Sequence, residues 1–114
     1  GPDEQLLSGL VAGAAGGIGG TYGAMPELYN KIYALVQENR IGEARPIQDD
    51  CLKIIQKLCS GHGNMYGMIK ETLRINHGLD CGSVRAPLAE LIEADLAIAK
   101  EAAEMIRTAI AKYC

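Results

Sequence analysis

A single short segment, residues 16–22 (Gly-Gly-Ile-Gly-Gly-Thr-Tyr), has the composition of a β-strand in this 114-residue chain. It lies between two longer segments with apolar residues at helical spacing, which is the alternation of an α/β fold. Ile18 is predicted to be buried, as in a parallel strand. One parallel strand cannot pair its backbone groups alone. Either the segment adopts another conformation, or its partner strands lie in preceding sequence, and the isolated chain is predicted to be mainly α.

Helical periodicity and helix-ending residues predict five helices. The first contains Asp3 and Glu4 and ends at Gly13, and the second begins at Pro26 and stops between Asn39 and Gly42. The remaining three are predicted at 43–59, with Pro46 in its first turn, at 65–77, ending before Gly78, and after Pro87 to the C-terminus. The chain is therefore predicted to consist mostly of helices joined by glycine-containing loops.

The last predicted helix has the most regular apolar pattern in the sequence. Its apolar residues follow alternating spacings of four and three, which is a heptad pattern; they are Ile92, Leu96, Ala99, Ala103, Ile106, Ile110 and Tyr113. Packing of this helix against its own domain is the favoured interpretation. The alternative is a homo-oligomer contact through the helix from Ile92 to Tyr113.

Charge and cysteine content exclude several classes of protein. The formal net charge is −3, with scattered charges and no basic stripe for nucleic acid, and no apolar run is long enough for a membrane span. The cysteines form no C-x-x-C pair and only His62 and His77 could assist them, so neither a zinc site nor any other metal or cofactor is predicted. Four reduced thiols in a cytoplasmic protein are the favoured interpretation; they are Cys51, Cys59, Cys81 and Cys114.

The glycine cluster does not match a nucleotide-binding motif. If G-x-G-x-x-G began at Gly17, its third glycine would fall on Tyr22, and no Gly-Lys-Ser/Thr follows Gly20. Close approach of the backbone to a ligand explains the glycines better. Asp3 and Glu4 are interpreted first as helix-capping residues, and alternatively as polar groups at the mouth of a barrel. None of the six lysines has the apolar strand context that a Schiff-base nucleophile requires.

Three stretches in order along the chain carry a specific resemblance. They are Gly1-Pro2-Asp3-Glu4-Gln5-Leu6-Leu7, Gly13-Ala14-Ala15-Gly16-Gly17-Ile18-Gly19-Gly20-Thr21-Tyr22 and Gly82-Ser83-Val84-Arg85-Ala86-Pro87-Leu88. Together with Tyr29-Asn30-Lys31-Ile32 and Ala44-Arg45, they resemble the lyase branch of the dihydrodipicolinate synthase and N-acetylneuraminate lyase family of class I aldolases. The resemblance implies the C-terminal part of a (β/α)8 TIM barrel, with the last βα units at 1–40 and a helical extension at 41–114.

The resemblance also implies an activity and a set of binding residues. Enzymes of this branch cleave a sialic acid to pyruvate and N-acetylmannosamine through a Schiff-base lysine, which would precede Gly1, so no catalytic residue is expected in this chain. The residues implied for binding the substrate are here called the lip: Gly1, Asp3, Glu4 and Gly20 at the sugar, and Gly19 with its backbone near the pyruvate. Gly20 departs from the serine usual in the lyases. The alternatives are a condensing enzyme of the synthase branch and a helical self-association module with no activity of its own.

Overall fold

The computed structural model describes residues 1–114 and contains only helices and irregular segments. The helices are α1 (Leu6–Val11), α2 (Pro26–Gln37), α3 (Ile41–Leu58), α4 (Met65–His77) and α5 (Glu93–Tyr113). Two 3-10 helices, Asp3–Gln5 and Gly20–Gly23, complete the chain. About two thirds of the residues are helical, which confirms the prediction of a mainly α chain.

The core lies between α2, α3 and α5, with α1 and α4 packed at its two sides. Buried positions on α3 recur at helical spacing, as at Ile47, Ile54 and Leu58, each at most 1% exposed. The facing stripe of α5 is rich in alanine, and Ala99, Ala102 and Ala103 are fully buried. Small side chains on α5 thus bring its backbone close to the larger side chains of α2 and α3.

Helix α3 begins two residues earlier than the sequence predicts. It starts at Ile41, so Gly42 lies inside this helix and does not end the preceding one. Helix α2 ends instead at Gln37, and Asn39 has a left-handed φ of 60°. As a result Pro46 lies beyond the first turn of α3, where its missing N–H removes one intrahelical hydrogen bond.

Helix α4 has the predicted limits because both of its ends are set by local contacts. The Asn64 side chain accepts a hydrogen bond from the Tyr66 amide at 2.9 Å, which caps the N-terminus. Gly78 follows the last turn with a φ of 68°, the left-handed conformation that favours glycine. Residues 79–92 then form an irregular segment, so α5 starts at Glu93 and not directly after Pro87.

The predicted first helix is divided into a 3-10 turn and α1. Asp3–Gln5 forms the turn, and α1 ends at Val11 just before Gly13, whose φ of 101° reverses the chain. Asp3 and Glu4 lie in the first turn as predicted, but the Asp3 side chain makes no capping hydrogen bond there. The capping interpretation is therefore wrong for Asp3, and its actual partner lies elsewhere in the chain.

The segment predicted as a strand is not a strand. Residues 14–19 are irregular, and a 3-10 helix follows from Gly20 to Gly23. Ile18, predicted to be buried, is 95% exposed. Gly19 retains extended dihedral angles, φ −158° and ψ 156°, but no neighbouring strand exists within the chain to pair with it. The absence of a partner strand explains the difference.

The heptad pattern of the last helix divides into a buried and an exposed part. Ala99, Ala103 and Ile106 pack in the core, in agreement with the favoured interpretation that the helix packs against its own domain. Ile92 and Leu96, at the start of the pattern, are each 47% exposed. The core of this chain therefore uses only the middle and end of the helix.

Candidate functional site

A buried chain of hydrogen bonds joins Asp3 to the segment that follows the glycine cluster. One Asp3 carboxylate oxygen, Oδ2, accepts from the Thr21 amide at 2.8 Å and from the Thr21 hydroxyl at 2.6 Å. The Thr21 hydroxyl oxygen is also 2.6 Å from the Tyr29 hydroxyl on α2. Asp3 and Thr21 are 8% and 1% exposed. These buried hydrogen bonds thus connect the 3-10 turn that carries Asp3, the 3-10 helix that carries Thr21 and helix α2.

The direction of these hydrogen bonds follows from the number of protons available. Thr21 has one hydroxyl proton, and a carboxylate only accepts, so Thr21 donates to Asp3. Tyr29 must then donate its own proton to the Thr21 oxygen. Burial raises the pKa of Tyr29 far above its usual value, which keeps that proton in place. The ring of Tyr22 stacks on that of Tyr29 with centroids 4.1 Å apart and covers it.

Gly19 and Asp3 occupy one space between them. A Cβ placed on Gly19 would lie 1.8 Å from Asp3 Oδ1 and 2.4 Å from its carboxyl carbon. No side chain fits there unless the carboxylate moves. Position 19 therefore requires glycine because the Asp3 carboxylate approaches it closely, whereas the expectation from sequence is approach of a ligand.

The Gln48 side chain on α3 binds the backbone of the same region. Its side-chain oxygen accepts from the Leu7 amide at 2.9 Å, and its side-chain nitrogen donates to the Asp3 carbonyl at 3.2 Å. The Leu7 amide lies in the first turn of α1 and has no partner within its helix. One buried amide side chain therefore satisfies both a helix terminus and the turn that carries Asp3.

The other lip residues lie at the rim of this arrangement. Gly1 is exposed and lines a shallow cleft with Gly17, Ile18 and Tyr22. Glu4 is partly buried and lies close enough to Cys59 for its charge to contribute, after burial, to raising the pKa of that thiol. The structure therefore brings Asp3 together with Gly19, while Gly1 lines the neighbouring cleft and Glu4 lies toward Cys59.

Gly20, the fifth lip residue, faces a side chain that the sequence does not single out. A Cβ on Gly20 would lie 2.9 Å from a ring carbon of Tyr66 and 3.5 Å from its hydroxyl oxygen. Tyr66 stands in the first turn of α4 and is 51% exposed. Its ring edge thus occupies the space beside the glycine.

The supporting residues Thr21, Tyr29, Gln48 and Tyr66 are not identifiable as a group from sequence. Asp3 and Thr21 are 18 positions apart, and Gln48 is 41 positions from Leu7. The one available signal is Tyr29, which lies on the apolar face of α2 and needs a partner for its hydroxyl when buried. That signal predicts a hydrogen bond but does not say to which residue.

No group of three or more His, Cys, Asp and Glu side chains is placed to hold a metal ion. None of the helices is both long and apolar enough to cross a membrane. All four cysteines are free thiols, and only Cys51 is buried.

The six lysines are all at least partly exposed, and Lys112 has a raised pKa because of its contacts with Tyr113 and Asp50. A lowered pKa would be expected at a Schiff-base lysine.

The family to which this chain belongs is shown by its sequence over most of its length. Residues 1–106 match the dihydrodipicolinate synthetase family, and the chain therefore belongs to that family. The resemblance found in the sequence is thus confirmed at the level of the family.

Two curated relatives show which members of the family this chain is similar to. The chain is 56% identical to an N-acetylneuraminate lyase of Mediterraneibacter gnavus over 113 residues, which is 99% of this chain and 36% of that protein. It is 35% identical to an N-acetylneuraminate lyase of Salmonella agona over 109 residues, 93% of this chain and 35% of that one. The chain therefore spans about a third of the length of these curated relatives.

The same similarity is present in three dimensions. The wild-type sialic acid aldolase of Ruminococcus gnavus superposes with a TM-score of 0.97 at 55% identity, over 99% of this chain and 38% of that one. A catalytic lysine mutant of that aldolase superposes equally well, over 37% of its chain. The helical arrangement described above is thus that of a section of a larger aldolase, in agreement with the predicted part of a TIM barrel.

Proposed function

We propose that this chain is the C-terminal part of a Schiff-base aldolase that cleaves a sialic acid to pyruvate and N-acetylmannosamine. The observation that carries the proposal is the match to a sialic acid aldolase over 99% of the chain with a TM-score of 0.97. On this proposal residues 1–40 complete the barrel and residues 41–114 form its helical extension. The 3-10 turn at Gly20 and the exposed Ile18 would then face the preceding strands of the barrel.

The lip supplies the sugar end of the substrate site in this proposal. Gly1, Asp3, Glu4, Gly19 and Gly20 would surround the hydroxyl chain of the sugar, with the Gly19 backbone toward the pyruvate. The support is the direct contact between the Asp3 carboxylate and Gly19, which puts two of these residues at one place. Carboxylates accept hydrogen bonds from sugar hydroxyls, and glycine allows a ligand to approach the backbone.

The nucleophilic lysine belongs to the rest of the enzyme in this proposal. A Schiff-base lysine attacks the substrate carbonyl and must be uncharged, which requires a desolvated position. Here Lys57 pairs with Glu101 at 2.7 Å and Lys70 donates to the Ser83 carbonyl at 2.8 Å. These charged, partly exposed lysines support a purely binding contribution of this chain to the reaction.

Borohydride trapping tests the proposal. The full-length protein should form a reduced adduct with pyruvate and should release pyruvate from a sialic acid, whereas the 114-residue chain should do neither. A reduced adduct on any of the six lysines of this chain would overturn the assignment. Condensation of pyruvate with an aldehyde, without cleavage of a sialic acid, would instead support the synthase branch.

Two substitutions of the same kind test the lip within the full-length protein. Gly19→Ala places a methyl group 1.8 Å from Asp3 Oδ1, whereas nothing lies within 4 Å of a Cβ on Gly16. Gly19→Ala is expected to lower kcat/KM by about a hundredfold, since a misplacement of about 1 Å can have that effect. Gly16→Ala should leave it nearly unchanged. Equal activities of the two variants would contradict the placement of the site.

We also propose that the intact protein is a cytoplasmic homo-oligomer. Three exposed free thiols, Cys59, Cys81 and Cys114, favour a reducing compartment. The exposed start of the heptad pattern, Ile92 and Leu96, favours contact with a second copy of the chain. Light scattering of the wild type and of Leu96→Glu checks the contact, and an unchanged molar mass in the variant would argue against it.

A further inference from the structure

We propose that Tyr29 is a positioning residue of the lip, which acts through the Thr21 hydroxyl to hold the Asp3 carboxylate toward the substrate. The inference rests on the proposed function, in which Asp3 contacts the hydroxyl chain of the sugar. Tyr29 lies on α2 inside the core and is 3% exposed, so it does not reach a substrate itself. Its hydroxyl reaches the lip only through the Thr21 hydroxyl oxygen, 2.6 Å away.

The two oxygens of the Asp3 carboxylate have different surroundings. Oδ2 accepts both hydrogen bonds from Thr21, whereas Oδ1 accepts none within the chain. Every fully buried side-chain oxygen and nitrogen of this chain has a hydrogen-bond partner. Oδ1 is therefore accessible from outside, although Asp3 as a whole is 8% exposed. This oxygen is the one left to accept a hydrogen bond from a substrate hydroxyl.

The orientation of Oδ1 depends on what binds Oδ2. Rotation about the bond between the carboxyl group and Cβ of an aspartate is only weakly restricted, so the carboxylate has no fixed plane of its own. The Thr21 amide at 2.8 Å and the Thr21 hydroxyl at 2.6 Å both donate to Oδ2. Two donors on one oxygen fix the plane of the carboxylate, with Oδ1 against Gly19.

Tyr29 determines where the Thr21 hydroxyl proton points. A threonine hydroxyl rotates to suit its partners and can donate only one hydrogen bond. The Tyr29 hydroxyl donates to the Thr21 oxygen, which leaves the Thr21 proton for Asp3.

Burial makes this arrangement depend on Tyr29 alone. Thr21 is 1% and Tyr29 3% exposed, so water does not replace the tyrosine as a donor. Hydrogen bonds in a connected chain also strengthen one another. Removal of the Tyr29 hydroxyl therefore weakens the hold on Asp3 Oδ2 without changing any group that meets the substrate.

The test separates binding of the sugar from binding of pyruvate in the full-length enzyme. Tyr29→Phe removes only the phenol oxygen. It is expected to raise KM for a sialic acid about fivefold, as loss of one hydrogen bond does, with kcat nearly unchanged. The pyruvate concentration that gives half-maximal borohydride trapping should change less than about twofold, because Asp3 is assigned to the sugar.

Three further variants identify the path from Tyr29 to Asp3. Thr21→Val lacks the connecting hydroxyl and should raise KM at least as much, whereas Thr21→Ser keeps it and should stay within about twofold of the wild type. Tyr113→Phe is the matched control, because it also loses a tyrosine hydrogen bond to a carboxylate, that of Asp50 at 2.7 Å. That contact joins α5 to α3 and includes no lip residue, so its loss should leave KM nearly unchanged.

Three results would reject the positioning role while the wild type remains a lyase. The first is an unchanged KM in Tyr29→Phe, and the second is a parallel loss of pyruvate trapping, which indicates general damage to the fold. The third is equal KM values for Thr21→Ser and Thr21→Val, since the hydroxyl would then not be the connection. A wild type that releases no pyruvate from a sialic acid would reject the proposed function, and the role of Tyr29 with it.

Discussion

The helical core and the lip region of this chain are stabilised in different ways. The core between α2, α3 and α5 consists of apolar side chains in close contact, with Ile32, Ile54 and Leu58 at most 1% exposed. The lip region, residues 1–25, depends on a few buried polar contacts, chiefly those of Asp3 and Gln48. Apolar packing is distributed over many contacts, whereas a polar connection fails when one partner is removed.

This difference suits the two regions to different tasks. Apolar packing is non-directional, so the core holds the helices together without fixing the position of any single group. Hydrogen bonds are directional, so those of Asp3, Thr21 and Gln48 fix where the backbone of the lip lies. The lip can therefore have an exact position although Ile18 and the glycines around it are exposed. Substitutions in one region should therefore disturb that region and leave the other in place.

The largest effect is expected from a cavity in the core. Ile32→Ala should lower the free energy of unfolding of the 114-residue chain by about 3 kcal/mol, because a fully buried side chain is removed. Urea unfolding followed by circular dichroism measures this. Leu52→Ala, at a position 37% exposed on α3, should cost less than about 1 kcal/mol. Similar losses for both variants would mean that the core is not packed as described.

A smaller but more local effect is expected at Gln48. Gln48→Leu keeps the volume of the side chain but leaves the Leu7 amide and the Asp3 carbonyl without partners. The cost should be about 2 kcal/mol. Hydrogen exchange at the Leu7 amide should accelerate far more than exchange in α5. The exposed Gln56→Leu on the same helix serves as the control, and uniform acceleration along the chain would show that the two regions do not separate.

Alkaline pH should weaken the core through Cys51. Burial raises the pKa of this thiol to about 12 from 9.0, so the folded state holds its proton above pH 9 while the unfolded state loses it. The contribution of this thiol to the free energy of unfolding is complete below pH 9 and is lost as the pH rises toward 12. The free energy of unfolding should fall by up to about 1.4 kcal/mol per pH unit there from this group. Cys51→Ala should reduce that slope relative to Cys81→Ala, and parallel slopes would be evidence against burial of the thiol.

The smallest effect is expected at Thr21. Thr21→Val retains the shape but removes the hydroxyl between Asp3 and Tyr29. The loss should be about 1 kcal/mol, with the Asp3 contact to the backbone amide at position 21 preserved. Urea unfolding of the 114-residue chain measures this loss. Thr108→Val on the exposed face of α5 is the control, and equal free energies of unfolding for the two variants would exclude the assigned hydrogen bond.

The parts of the fold that sequence predicts are those set by neighbouring residues. Helix α4 has the predicted limits because Asn64 and Gly78 act on the turns next to them. The segment at 16–22 has the composition of a strand but is irregular in this chain, because a strand depends on a partner and no composition can supply one. Gly42 and Pro46 were misplaced because periodicity does not define the first turn of a helix closely.

The site was predictable only in part for the same reason. The lip residues came from a family resemblance, and the family itself is confirmed, while their binding role remains a prediction. The bonds of Asp3 to Thr21 and of Gln48 to Leu7 join residues 18 and 41 positions apart. No local pattern encodes such pairs. Tyr66 was missed because its neighbour is a glycine, which leaves no complementary side chain to recognise in the sequence.

The shared space of Gly19 and Asp3 has a consequence for how this protein can change over time. A larger residue at position 19 is obstructed while the carboxylate at position 3 is present. A smaller residue at position 3 alone would leave the Thr21 amide and hydroxyl without their acceptor. Each single step is therefore harmful, although a double replacement could be accommodated. A library of single substitutions would find both positions intolerant, and only paired randomisation would reveal that they constrain each other.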